Sequence, residues 1–113
     1  MTLKEITEKL SLNVLAGQEM LEKEVSNGYT SDLLSDVMAH TKQGDLWITL
    51  QIHQNIVAVA KLKELSGIIV VNNRTPEKDT LKKAEEENIP LMTTPDPAFV
   101  ISGKLYGLIG AED

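Results

Sequence analysis

The chain has 113 residues, a net charge of −6, 42% hydrophobic and 25% charged side chains, and no cysteine. That length and balance define a single globular domain and exclude a disordered chain. The missing cysteine excludes disulfides, thiolate metal sites and a cysteine nucleophile, while scattered Lys and Arg in an acidic chain speak against nucleic acid or an anionic membrane as partner.

Thr2-Leu3-Lys4-Glu5 has capping-box spacing, with Leu3, Ile6 and Leu10 on one face of the helix that follows. Leu12 to Leu15 reads as a brief strand ended by Ala16-Gly17, Gln18 to Lys23 as helix or loop, and Val25 to Tyr29 as extended chain. Thr30-Ser31-Asp32 can cap a helix carrying Leu33, Leu34, Val37 and Met38. Gly44-Asp45 turns into the apolar strand Leu46 to Leu50, where Trp47 belongs to core or interface. A helix from about Gln54 to Leu65 is expected to close on Gly67. Ile68 to Val71 is nearly pure β-branched and suits a central strand buried on both faces.

Thr75-Pro76-Glu77 opens the next helix with Pro at its first position, Asp79 paired with Lys83 on its outer face, and Asn88 at its end. Ile89 to Thr93 is a further short strand. Asp96-Pro97 then starts a last helix through Phe99, Val100 and Leu105, weakened by Gly103 and Gly107, and the tail from Gly110 is expected to fray. From Leu46 onward strands and helices alternate, which predicts a mostly parallel sheet in one domain spanning 1–113. The amino terminus lacks the basic-then-apolar order of a signal peptide, and no apolar run approaches the roughly 18 residues of a membrane helix. A cytoplasmic protein is the expectation.

Ser31-Asp32-Leu33-Leu34-Ser35-Asp36-Val37-Met38, Gly44-Asp45-Leu46-Trp47-Ile48-Thr49 and His53-Gln54-Asn55-Ile56 together resemble the DRTGG domain family. The likeness extends from Leu3 to about Leu108, and the chain also looks distantly similar to the amino-terminal domain of HPr kinase/phosphorylase, without a catalytic half. The resemblance implies a three-layer α/β/α fold and an accessory, dimerising, regulatory role. Relatives stand alone or are fused to CBS-domain pairs, inorganic pyrophosphatases or phosphotransacetylases. Where the family often carries Thr-Gly-Gly after the buried strand, this chain has Val71-Asn72-Asn73, and Asn tolerates a left-handed backbone better than most residues.

Catalytic motifs are missing from the sequence: there is no Walker-type P-loop, no Gly-x-Gly-x-x-Gly after a strand, and no His-Glu-x-x-His. His40 and His53 match no metal spacing, so neither metal nor cofactor is expected and the chain reads as a non-enzyme. In open parallel sheets ligands bind beyond the strands' carboxyl ends. Thr49, Gln51, His53 and Asn55 would follow one strand, Asn72, Asn73 and Arg74 the next, and Thr93 and Thr94 the third. Asp32 and Ser35 match the family at an earlier strand–helix junction.

These groups would suit a small anionic metabolite or nucleotide, with Arg74 as the fixed cation. Thr, Asn and Asp are equally ordinary caps and turn formers, so a pure interaction scaffold partnering a metabolic enzyme is the alternative. A phosphotransfer role for His53 is a third reading. The run Ile56-Val57-Ala58-Val59-Ala60 is apolar around its helix, which points to a second burying surface and a homodimer.

Overall fold

Short apolar strands and the helices between them build a five-stranded sheet in the computed structural model, which describes residues 1–110. The expected frayed tail after Gly110 lies outside the described residues. The strands are β1 (Asn13–Ala16), β2 (Asn27–Thr30), β3 (Asp45–Thr49), β4 (Gly67–Val70) and β5 (Leu91–Thr93). Their spatial order is β1-β5-β4-β3-β2, parallel throughout except that β1 runs antiparallel to β5, with Asn13 opposite Thr93. The helices are α1 (Leu3–Lys9), α2 (Leu34–His40), α3 (Asn55–Leu62), α4 (Lys78–Glu86) and α5 (Ala98–Ile109), with a 3-10 turn at Gln18–Met20.

The period-two pleat divides the apolar residues between two cores. Trp47, Ile68, Val70 and Leu91 point to one face and pack with Val37, Ile56, Val57, Ala60 and Ala84 from α2, α3 and α4. Leu46, Ile48, Ile69 and Met92 point to the other and meet Leu3, Ile6, Ile101 and Leu105 from α1 and α5. This is the expected three-layer α/β/α arrangement with a mostly parallel sheet. Trp47 is fully buried, and its indole Nε1–H donates to the carbonyl of Ser31 at 2.8 Å. Among the described residues no helix is long and apolar enough to cross a membrane.

Thr2 and Glu5 form the reciprocal capping box the sequence predicts. The helix ends differ from expectation in an instructive way. α3 stops at Leu62, and Gly67 opens β4 instead of capping the helix. Glu64 takes the left-handed position at φ +55, with its N–H on Lys61 O and the next N–H, of Leu65, on Ala60 O. That bond pair is a Schellman motif. Ser11 closes α1 and Asn88 closes α4 in the same way, through Ser11→Glu8 and Leu12→Thr7, then Asn88→Glu85 and Ile89→Ala84. Each motif turns its following apolar residue, Leu12, Leu65 or Ile89, inward to start the next core layer. Only Asn88 carries a residue type that advertises the motif.

Other details correct the sequence reading. Leu33, not Asp32, stands at the α2 cap position, and α4 begins at Lys78, after Pro76. Lys83 lies 3.8 Å from Glu87, which Lys61 also pairs with, and forms no ion pair with Asp79. α5 runs unbroken through both its glycines. Gly17 has φ +74, and a Cβ there would lie 2.5 Å from the backbone of Pro90, so this turn requires glycine.

Candidate functional site

Parallel β2, β3, β4 and β5 bring their carboxyl ends to one edge of the sheet, and antiparallel β1 adds its first residue, Asn13, to the same edge. Asp32 braces this edge on the β2–α2 side. Its Oδ1 accepts from Thr49 Oγ1 at 2.9 Å and from Leu50 N at 2.6 Å, while its carbonyl accepts from Gln51 Nε2 at 2.8 Å. Thr49 is buried and its hydroxyl also accepts the Gln51 N–H at 3.1 Å. One carboxylate thus staples the ends of two neighbouring strands. Ser35 stands exposed in the first turn of α2.

The turn after β4 is built from Asn72 at φ +60 and Asn73 at φ +56. Arg74 N closes it on Val71 O at 3.3 Å, which is the bonding of a primed β-turn with two left-handed central residues. Such a turn wants Gly or Asn at both positions. The Asn pair therefore meets the turn's left-handed demand at both central positions. Asn72 N donates to Asp96 O and Asn73 N to Thr94 O, each at 2.9 Å, so both amides are satisfied within the chain. Thr94 is buried, and its hydroxyl accepts from Asp96 N at 3.2 Å.

Arg74 leaves this turn exposed, with Nη1 donating to the carbonyl of Leu50 at 2.7 Å. Among the described residues no carboxylate forms an ion pair with it. It lines a shallow pocket of about 250 Å³ with Asn13, Asn73, Thr75 and Thr93, open at the strand edge. His53 and Asn55 stand at the start of α3, where His53 Nδ1 accepts the Asn55 N–H at 3.3 Å. Arg74, Asn73 and Thr93 are thus brought together around one pocket. Asp32 and Thr49 join Arg74 only through the Leu50 backbone, while His53 and Asn55 stand at the start of a neighbouring helix whose cap position is Gln54.

Two features escaped the sequence reading. Asn13 reaches the edge because β1 is antiparallel, an orientation that four residues of strand do not encode. The second is the polar cluster beneath α2, where Tyr29 Oη donates to Asp36 Oδ2 at 2.9 Å and His40 Nδ1 lies 3.0 Å from Asp36 Oδ1. Hydrogen bonds from Ser31 and then Tyr29, with the neighbouring His40, hold the Asp36 carboxyl below its usual range. The hydrogen bond to that carboxylate in turn pushes the Tyr29 phenol up. The seven-residue spacing of Tyr29 and Asp36 across the strand–helix junction carries no periodic signal, whereas Asp36 and His40 are an i, i+4 pair within α2. A larger cavity of about 440 Å³ opens at the opposite sheet edge, but its Lys23 and Lys61 are balanced by Glu24 and Glu64.

Fold and edge together define a three-layer α/β/α module whose strand-end pocket presents one uncompensated cation. The chain belongs to the DRTGG domain family, which matches residues 5–107. Among solved structures it is similar to the CBS and DRTGG domains of the regulatory region of Clostridium perfringens pyrophosphatase, crystallised with the activator diadenosine tetraphosphate. The identity is 22% and the TM-score 0.68, over 92% of this chain and 45% of that one. This likeness establishes the fold, and the chain spans less than half of that structure's length. No curated protein matches it.

Proposed function

We propose that this chain is a non-catalytic regulatory module that senses a small anionic metabolite or nucleotide at the strand carboxyl edge, works as a homodimer, and relays binding to a partner metabolic enzyme. The observation that carries the reading is Arg74, an exposed guanidinium held by Leu50 O, facing a pocket and lacking a carboxylate partner among the described residues. Its remaining N–H donors suit the planar recognition of phosphate oxygens. Asn13, Asn73 and Thr93 line the same pocket and can add neutral donors or acceptors for a ribose or base. The nucleotide activator of the similar pyrophosphatase region supports a nucleotide as the ligand class. Relay to an enzyme would require different affinities for two arrangements of the assembly.

A scaffold without ligand is the second reading, favoured by how completely the edge satisfies itself: the Asn72, Asn73 and Leu50 amides and the Asp32 carboxylate all have partners inside the chain. A thermal-shift screen against mononucleotides, diadenosine polyphosphates and sugar phosphates separates the two. A ligand at a hundredfold excess over its Kd adds about 2.7 kcal/mol, a rise of several degrees for a domain of this size. The sensing reading expects such a hit, lost in Arg74→Ala and partly kept in Arg74→Lys. A flat screen with folded protein rejects sensing in favour of the scaffold.

A further inference from the structure

Thr49 closes β3 with its side chain 1% exposed, and its hydroxyl is committed in both directions. It donates to Asp32 Oδ1 at 2.9 Å and accepts the Gln51 N–H at 3.1 Å. The second of these bonds fixes the peptide between Leu50 and Gln51. Across a trans peptide the C=O points opposite to the N–H, and no peptide among the described residues is cis. With the Gln51 N–H drawn back onto Thr49, the Leu50 carbonyl is turned the other way, where it accepts from Arg74 Nη1 at 2.7 Å. Asp32 holds the same residue from its amide side by accepting Leu50 N at 2.6 Å.

The backbone of Arg74 is tied to the same point of β3. Val71 N donates to Thr49 O at 3.1 Å, and Arg74 N donates to Val71 O at 3.3 Å. In a guanidinium, Nη1 lies on the Cδ side, so Nε–H and Nη2–H stand together along the opposite edge. Neither of these donors hydrogen-bonds to any described residue. Two parallel N–H groups of this kind match two oxygens of one phosphate or carboxylate. An exposed arginine ordinarily has to be immobilised when it binds; Arg74 is gripped beforehand.

We propose that Thr49 and Asp32 are positioning residues for Arg74: through the Leu50 peptide they hold one edge of its guanidinium and leave the other edge ready for an oxyanion in the strand-end pocket. The proposal rests on the sensing reading above and deepens it. Neither residue lines that pocket. Asp32 forms no ion pair with Arg74, so its carboxylate does not neutralise the cation it helps to place. The role is separable from plain electrostatics by its sign. A carboxylate near an anion site weakens binding by charge alone, so its removal would then strengthen binding. Loss of positioning weakens it.

Relaxation of the Arg74 Nε–H in the ¹⁵N-labelled full chain, followed by titration with diadenosine tetraphosphate, tests this. In the parent, that group should be as ordered as rigid backbone, with an order parameter of about 0.85. Thr49→Val keeps the shape and removes the hydroxyl. It should drop the order parameter below about 0.6 and weaken nucleotide binding roughly threefold to tenfold, while Thr49→Ser retains both. Asp32→Ala, at an exposed position, should lose both as well and supplies the reading if Thr49→Val does not fold. A mobile Arg74 in the parent overturns the proposal. So does unchanged order or affinity in the two variants, or tighter binding in Asp32→Ala. A parent that binds no nucleotide while Arg74 stays ordered refutes the sensing reading instead, and with it any ligand for the free edge to meet.

Discussion

Replacing Asn72 and Asn73 together, once by Ala-Ala and once by Gly-Gly, isolates the conformational demand of the turn after β4. Neither Asn side chain hydrogen-bonds to any described residue, so truncation removes no contact of that kind. What changes is the cost of holding φ at +60 and +56. An ordinary L-residue pays about 1–2 kcal/mol in the left-handed region, of which Asn recovers part. The Ala-Ala variant should therefore lose about 1–2 kcal/mol, seen as a fall of roughly 4–8 °C in Tm and a lower urea midpoint at unchanged m-value. Gly-Gly removes the strain but loosens the unfolded chain by about 0.5–1 kcal/mol per residue, leaving the variant within about 1 kcal/mol of the parent. Ala-Ala as stable as the parent would refute the reasoning. Gly-Gly as damaged as Ala-Ala would refute it equally, because side-chain loss would then be the cause.

Glu64→Gly should stabilise the chain by up to about 1 kcal/mol, because the Schellman position at φ +55 favours glycine; denaturant unfolding measures it, and a loss of stability would contradict the assignment. Asp36 has a lowered folded-state pKa, so its contribution is present above its unfolded value near pH 4 and is lost as pH falls through the folded pKa. Glu5, held down by its bonds with Thr2, and Glu87, held down by Lys61, act in the same direction. Stability should therefore fall on acidification from about pH 5 to about pH 2, with a shallower slope in Asp36→Asn; an unchanged slope would remove Asp36 from the account.

Layer order and sheet direction were legible because they rest on long-lived patterns. Leu46–Ile48 and Ile68–Val71 are uniformly apolar, as strands covered on both faces must be, and the alternation with helices leaves little choice but parallel crossovers. Local backbone chemistry was read less well. Glu64 and Ser11 take left-handed positions because tertiary packing of Leu65 and Leu12 overrides their own weak preference, and no composition rule marks them. Asp32 has the residue type and position of a helix cap, but the end of β3 offers it two donors, one from the buried Thr49, and wins. The apolar run in α3 suggested burial on two sides, yet Ile56, Val57, Val59 and Ala60 form one stripe in a single core, while Ala58 and Leu62 are exposed. The edge residues around Arg74 were placed together through topology alone: once β3, β4 and β5 are parallel, their following residues share one edge.

Titrating the ¹⁵N-labelled chain with diadenosine tetraphosphate, or with whichever nucleotide gives the largest thermal shift, tests the central claim most directly. Ligand sensing at the strand carboxyl edge predicts amide shifts concentrated at Asn13, Asn73, Arg74, Thr75 and Thr93, and abolished in Arg74→Ala. Shifts concentrated instead at Lys23, Gln43 and Glu64 around the opposite cavity, or none at millimolar nucleotide, would contradict it.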